Sequence, residues 1–143
     1  MTTVRQLLDQ KGSQVWSIPP DATVYDALRL LAERDIGALL VIQKEDLVGI
    51  ISERDYARKV ILQGKSSMKT SVREIMTERV IFVEPDHSLE EVMALMTDKH
   101  LRHLPVLEDD QVVGLVSIGD LVKAKIADQS FIIEQLERYI AGG

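Results

Sequence analysis

The chain has 143 residues, 45% of them hydrophobic, which suffices for one folded domain and is too few for two independent ones. A net charge of −6 and an isoelectric point near 5.1 set up a field that repels phosphate backbones, which argues against a general nucleic-acid binder while leaving room for a local anion pocket. There is no cysteine, so disulfides, thiolate metal sites and thiol nucleophiles are excluded.

Along the chain, residues 1–14 form a lead-in without an apolar signal region, and no apolar run approaches membrane-spanning length. The expectation is a cytoplasmic protein with no membrane partner. Residues 15–18 read as a short strand closed by Pro19-Pro20-Asp21. A helix is predicted over 24–34, with Val24, Ala27, Leu28 and Leu31 on one face and Thr23 as N-cap. Two apolar runs, 38–42 and 47–51, flank the polar turn Gln43-Lys44-Glu45-Asp46 and read as a hairpin. Ser52-Glu53-Arg54-Asp55 then opens a second helix toward Ile61.

A polar connection and a short turn, Val72-Arg73-Glu74-Ile75-Met76-Thr77, lead to a strand predicted over 80–83. Ser88-Leu89-Glu90-Glu91 is a capping box at the start of the next helix. A hairpin follows, with strands at 104–107 and 112–116, and a last helix begins near Ser117. Beyond Ile126 that helix keeps an apolar stripe through Phe131, Ile132, Leu136, Tyr139 and Ile140, to be buried in the core or against a partner subunit.

These elements say the same thing twice. A shift of 65 residues places Pro20 on Pro85, Asp21 on Asp86, Val41 on Val106, Gly49 on Gly114, Ser52 on Ser117 and Asp55 on Asp120. The predicted fold is therefore α/β (α+β): two β-α-β-β-α units, 15–62 and 80–127, joined by a linker at 63–79 and followed by an extension at 128–143. Units too small to bury their own apolar faces are expected to pack with pseudo-two-fold symmetry, with a ligand cleft between them.

Gly49-Ile50-Ile51-Ser52-Glu53-Arg54-Asp55 and Gly114-Leu115-Val116-Ser117-Ile118-Gly119-Asp120 share one form: a strand running into Ser-x-x-Asp at a helix start. Ser-x-x-Asp is a capping box in its own right. It also suits a nucleotide, because a first-turn carboxylate can accept both hydroxyls of a ribose while backbone amides meet phosphate. Its repetition favours the second use.

The paired units, the Gly-h-h-Ser-x-x-Asp that closes each, and Val72-Arg-Glu-Ile-Met-Thr77 ahead of the second resemble the tandem CBS-domain (Bateman) module from about residue 15 to 126. The resemblance implies an adenosyl ligand such as AMP, ATP, NAD(H) or S-adenosylmethionine, with Asp55 and Asp120 holding ribose beside Ser52 and Ser117. It implies a homodimer as well. It further places Arg102 and His103 opposite Ser52 and Asp55 as the phosphate cations, and Gly37 and Ala38 opposite Ser117 and Asp120, which leaves that side poor in positive charge. Arg54 is expected to point toward phosphate, and Arg58 either to join it or to pair with a surface acid. Met76 stands at the entry to the second unit with Thr77, against an adenine face or as a plain core residue.

Other signals fail. Gly64-Lys65-Ser66 lacks the upstream glycine of a P-loop, no G-x-G-x-x-G occurs, and the three histidines lack metal-ligand spacing, so no metal is expected. No nucleophile–base pair stands out, so no catalysis is expected. The function implied is a regulatory module that binds an adenine nucleotide and acts on an effector protein in trans. The alternative is a dimerisation or interaction module with no physiological nucleotide.

Overall fold

Two tight hairpins organise the chain. In the computed structural model, which describes residues 2–141, β2 (Ala38–Gln43) pairs with β3 (Asp46–Ser52), and β4 (His103–Glu108) with β5 (Gln111–Ser117). Each loop has two residues, Lys44-Glu45 and Asp109-Asp110, all at positive φ between 50° and 72°. That is the type I′ pattern, whose twist matches the strands it joins. Each hairpin carries a register shift at the same place, after Val41 and after Val106.

The chain divides into two compact units. The first, Gln14–Ile81, holds a three-stranded sheet in which β1 (Ser17–Ile18) lies parallel to β2. It also contains α2 (Val24–Arg34) and α3 (Glu53–Tyr56), the latter continuing as a π-helical turn over Ala57–Ile61, and α4 (Val72–Ile75). Thr23 caps α2 by accepting the Asp26 N–H, and Val24, Ala27 and Leu31 face a core of Leu39, Val41, Ile51 and Val60. The expected helix over 24–34 is thus found, ended by Asp35 in the left-handed region.

The second unit joins the residues up to Ser13 to those from Phe82 onward. It contains α1 (Val4–Lys11), α5 (Leu89–Lys99), the β4–β5 hairpin and α6 (Ile118–Ala141). The strand expected at residues 80–83 does not form. Only an isolated parallel bridge, Val83 with Val106, survives. The reason is Pro105. In the first unit the Leu40 N–H donates to the Trp16 carbonyl, and 65 residues on the partners are Pro105 and Ile81. Proline has no N–H to give, so the ladder stops at one bridge.

Each unit also carries a lead-in segment docked in the same way. The Val72 N–H donates to the Ala22 carbonyl and the Val24 N–H to Thr70; correspondingly, Val4 donates to His87 and Leu89 to Thr2. Arg73 pairs with Asp21, and Arg5 with Asp86. Ser71/Glu74 and Thr3/Gln6 are matching capping boxes. The turn expected at 72–77 is therefore the helix α4 followed by an extended Met76, and α1 is its counterpart in the other unit.

Two glycines let the lead-ins approach. A Cβ on Gly49 would stand 2.7 Å from the Met76 sulfur and 3.1 Å from the Thr77 carbonyl oxygen; on Gly114 it would meet the Leu8 side chain at 2.7 Å. Met76 can yield, but the Thr77 backbone is fixed by reciprocal hydrogen bonds with Ile50. Gly49→Ala should therefore cost roughly 1–3 kcal/mol, the scale for an overpacked core. A chemical-denaturation midpoint equal to wild type would contradict this.

Candidate functional site

Both Ser-x-x-Asp segments fold as reciprocal caps. Asp55 Oδ2 accepts the Ser52 N–H at 2.9 Å and the Ser52 hydroxyl at 3.1 Å, while Ser52 Oγ accepts the Asp55 N–H at 3.3 Å. In the second unit, Asp120 Oδ2 accepts the Ser117 N–H at 2.9 Å and Ser117 Oγ accepts the Asp120 N–H at 3.1 Å. The cap fixes each carboxylate at the edge of its unit, partly buried, beside the positive end of a helix.

What stands on the other carboxylate oxygen differs between the units. Asp55 Oδ1 meets the Lys59 ammonium at 3.1 Å and lies 3.5 Å from the Thr77 hydroxyl. Lys59, one turn along the helix, also donates to the Ile75 carbonyl at 2.9 Å. Ser52, Asp55, Thr77 and Lys59 therefore form one polar cluster around an ionised acceptor. Asp120 has instead the Lys11 ammonium, 2.8 Å from its Oδ2, brought by the last turn of α1. Lys11 also donates to the Leu115 carbonyl at 2.7 Å. The carbonyl 65 residues earlier, on Ile50, accepts the Thr77 N–H at 2.9 Å. A flexible ammonium thus occupies in one unit the position that a fixed backbone N–H and a neutral hydroxyl occupy in the other.

Each remaining expected residue has a definite place. Gly37 and Ala38 belong to the first unit, where the Gly37 carbonyl accepts the Glu53 N–H at 3.2 Å and Ala38 is buried opposite Ser52 in the β2–β3 ladder. Arg102 and His103 are their equivalents in the second unit. The Arg102 carbonyl accepts the Ile118 N–H at 2.8 Å, and His103 lies opposite Ser117. Arg54 and Arg58 lie on the exposed side of the helix that Ser52 starts. Met76 is a core residue, packed against Gly49. Lys11 and Lys59 were not among the expected residues. Lys59 was within reach of the i, i+4 rule from Asp55. Lys11 was not, being more than a hundred residues from Asp120.

The charge state of Asp120 follows from these contacts. Burial pushes its carboxyl up, but the Lys11 ammonium and the Ser117 N–H outweigh burial and hold it below the ordinary carboxylate value. Glu74 and Glu91 are also lowered, first by the backbone N–H of the serine each one caps and then by its hydroxyl. A carboxylate with a depressed folded pKa stabilises the fold fully above its unfolded value, about 4, and loses that contribution as pH falls through the folded value. Wild type should therefore lose melting temperature progressively below about pH 4. Asp120→Asn should lose less over the same interval, and identical acid profiles would contradict the Lys11–Asp120 coupling.

Comparison with known proteins agrees with this architecture. The CBS domain family model matches twice, over residues 4–61 and 72–127. Both matches take in the lead-in helices. The chain belongs to the CBS-domain family. It is 41% identical, over an alignment spanning 99% of this chain and 73% of the relative, to the mitochondrial CBS domain-containing protein CBSX3 of Arabidopsis thaliana. A solved structure of a protein with CBS domains from Burkholderia ambifaria MC40-6 shares 54% identity at a TM-score of 0.87, covering 90% of this chain and 96% of its own. The CBS domain pair of protein MJ0100, solved with 5′-methylthioadenosine and S-adenosyl-L-methionine, is 26% identical at a TM-score of 0.79, covering 90% of this chain and 98% of its own. The two CBS repeats expected from the sequence are thus the fold, in a chain of the CBS-pair class. Among the described residues no helix is long and apolar enough to cross a membrane.

Proposed function

We propose that this chain is a non-catalytic regulatory module that binds an adenine nucleotide, AMP, ATP or NAD(H), and passes its occupancy to an effector protein in trans. The observation that carries this is the Ser52–Asp55–Thr77 cluster, a capped, ionised carboxylate whose Oδ1 is open to exchange a weak 3.5 Å hydroxyl contact for a ribose hydroxyl. The adenosine-containing ligands of the MJ0100 pair support the ligand class. In this reading Asp55 holds the ribose and Arg102 and His103 supply positive charge for phosphate. Its setting is the cytoplasm, in keeping with an acidic chain free of cysteine.

Thermal shift tests it directly. Ligand at about 100 times its Kd stabilises the native state by about 2.7 kcal/mol. For a chain of this size that is a rise in Tm of roughly 5–10 °C. AMP, ATP or NAD should produce it, whereas GMP should not. No shift with any adenine nucleotide at millimolar concentration would favour the second reading, a pure interaction module, which the exposed apolar face of α6 supports.

A further inference from the structure

The part of α6 beyond the CBS match is a helix whose apolar side touches nothing. Its first third is anchored: Leu121 and Ala124 are buried, and Asp128 accepts the Thr2 hydroxyl. The opposite face bears Val122, Ile126, Ile133, Leu136 and Ile140, each at least 41% exposed. Their spacing of four, seven, three and four, completed by Gln129, is an unbroken heptad seam, and Ile132 and Tyr139 widen it on one flank. Such a seam in water needs a partner.

We propose that the partner is a second copy of this chain, docked antiparallel along α6. The register is set by the sequence itself. With the two helices centred on residue 131, Val122 meets Ile140 of the other copy, Ile126 meets Leu136, and Gln129 meets Ile133, each layer occurring twice. The same register brings Lys123 beside the other copy's Glu137, so that two opposite-charge pairs flank the seam, and Ile132 meets itself on the far flank. Lys123 and Glu137 are both exposed and available for this. A parallel pairing would set Glu137 against Ile132 and leave neither charge matched. One polar residue in the seam, Gln129, further penalises slipped registers. This inference is independent of the nucleotide.

Sedimentation of the full chain at tens of micromolar, without nucleotide, tests the surface. The wild type should have at least the mass of two chains, and Ile133→Asp combined with Leu136→Asp should halve it. Those positions are exposed, so the variant folds, as circular dichroism will check. Orientation is read by spin labels on single introduced cysteines, for which the chain offers no competing thiol. At 1.5 Å rise per residue, labels at Arg138→Cys should lie roughly 20 Å farther apart along the axis than labels at Ser130→Cys. A monomeric wild type, an oligomer unaffected by the double substitution, or equal distances at the two positions would each overturn the proposal.

Discussion

Asp55→Ala should weaken AMP binding by about 1.5–3 kcal/mol, the range for losing charge-assisted hydrogen bonds. That is roughly 10- to 150-fold in Kd. The carboxylate does two jobs, and they separate. Oδ2 takes the Ser52 N–H and hydroxyl, so the substitution also removes a helix cap, worth about 1 kcal/mol of folding stability. Oδ1 faces Lys59 and Thr77 and is the atom available to a sugar hydroxyl. Calorimetry below the melting transition of the variant therefore reports the ligand role alone. Wild-type affinity in folded Asp55→Ala would show that the segment is a cap and nothing more.

The two Ser-x-x-Asp sites should be unequal, with Asp55 the principal one. Bidentate acceptance of a ribose diol needs both oxygens of a carboxylate. At Asp120, Oδ2 already accepts from Ser117 and Lys11, and Lys11 is held in place by the Leu115 carbonyl as well. A nucleotide there has to displace an ammonium from its counter-charge, whereas at Asp55 it displaces a hydroxyl at 3.5 Å from Oδ1. Asp120→Ala is accordingly expected to change AMP affinity by less than about threefold, under the 1.4 kcal/mol that a tenfold change represents. Arg102→Ala should lower AMP binding by roughly tenfold or more while sparing adenosine, since a charge-assisted bond to phosphate is the only one lost. Loss of AMP binding in Asp120→Ala, with Asp55→Ala unaffected, would reverse the order of the sites.

How much of this was legible in the sequence depends on how local the cause was. Helix α2 and both hairpins were readable because amphipathic spacing and Thr23 act within a few residues. The π-helical turn after α3 left no such sign. The strand expected at residues 80–83 failed for a long-range reason, the missing N–H of Pro105 in the strand it would have joined. The kinship of Thr3-Val4-Arg5-Gln6-Leu7-Leu8 with Ser71-Val72-Arg73-Glu74-Ile75-Met76 escaped the 65-residue shift because it needs an offset of 68. Positive charge was expected from Arg102 and His103 and found also at Lys11, which only the fold of the lead-in helix onto the second unit brings to Asp120. Met76 went to the core, as close packing on Gly49 requires.

The most direct test of adenine-nucleotide binding is to denature the purified full chain and identify what it releases by mass spectrometry, with Asp55→Ala purified in parallel. AMP, ATP or NAD(H) released by the wild type, and strongly reduced in the variant, is the expected result. A wild type that releases no adenine nucleotide, and whose melting is unmoved when each is added back at millimolar concentration, would contradict it.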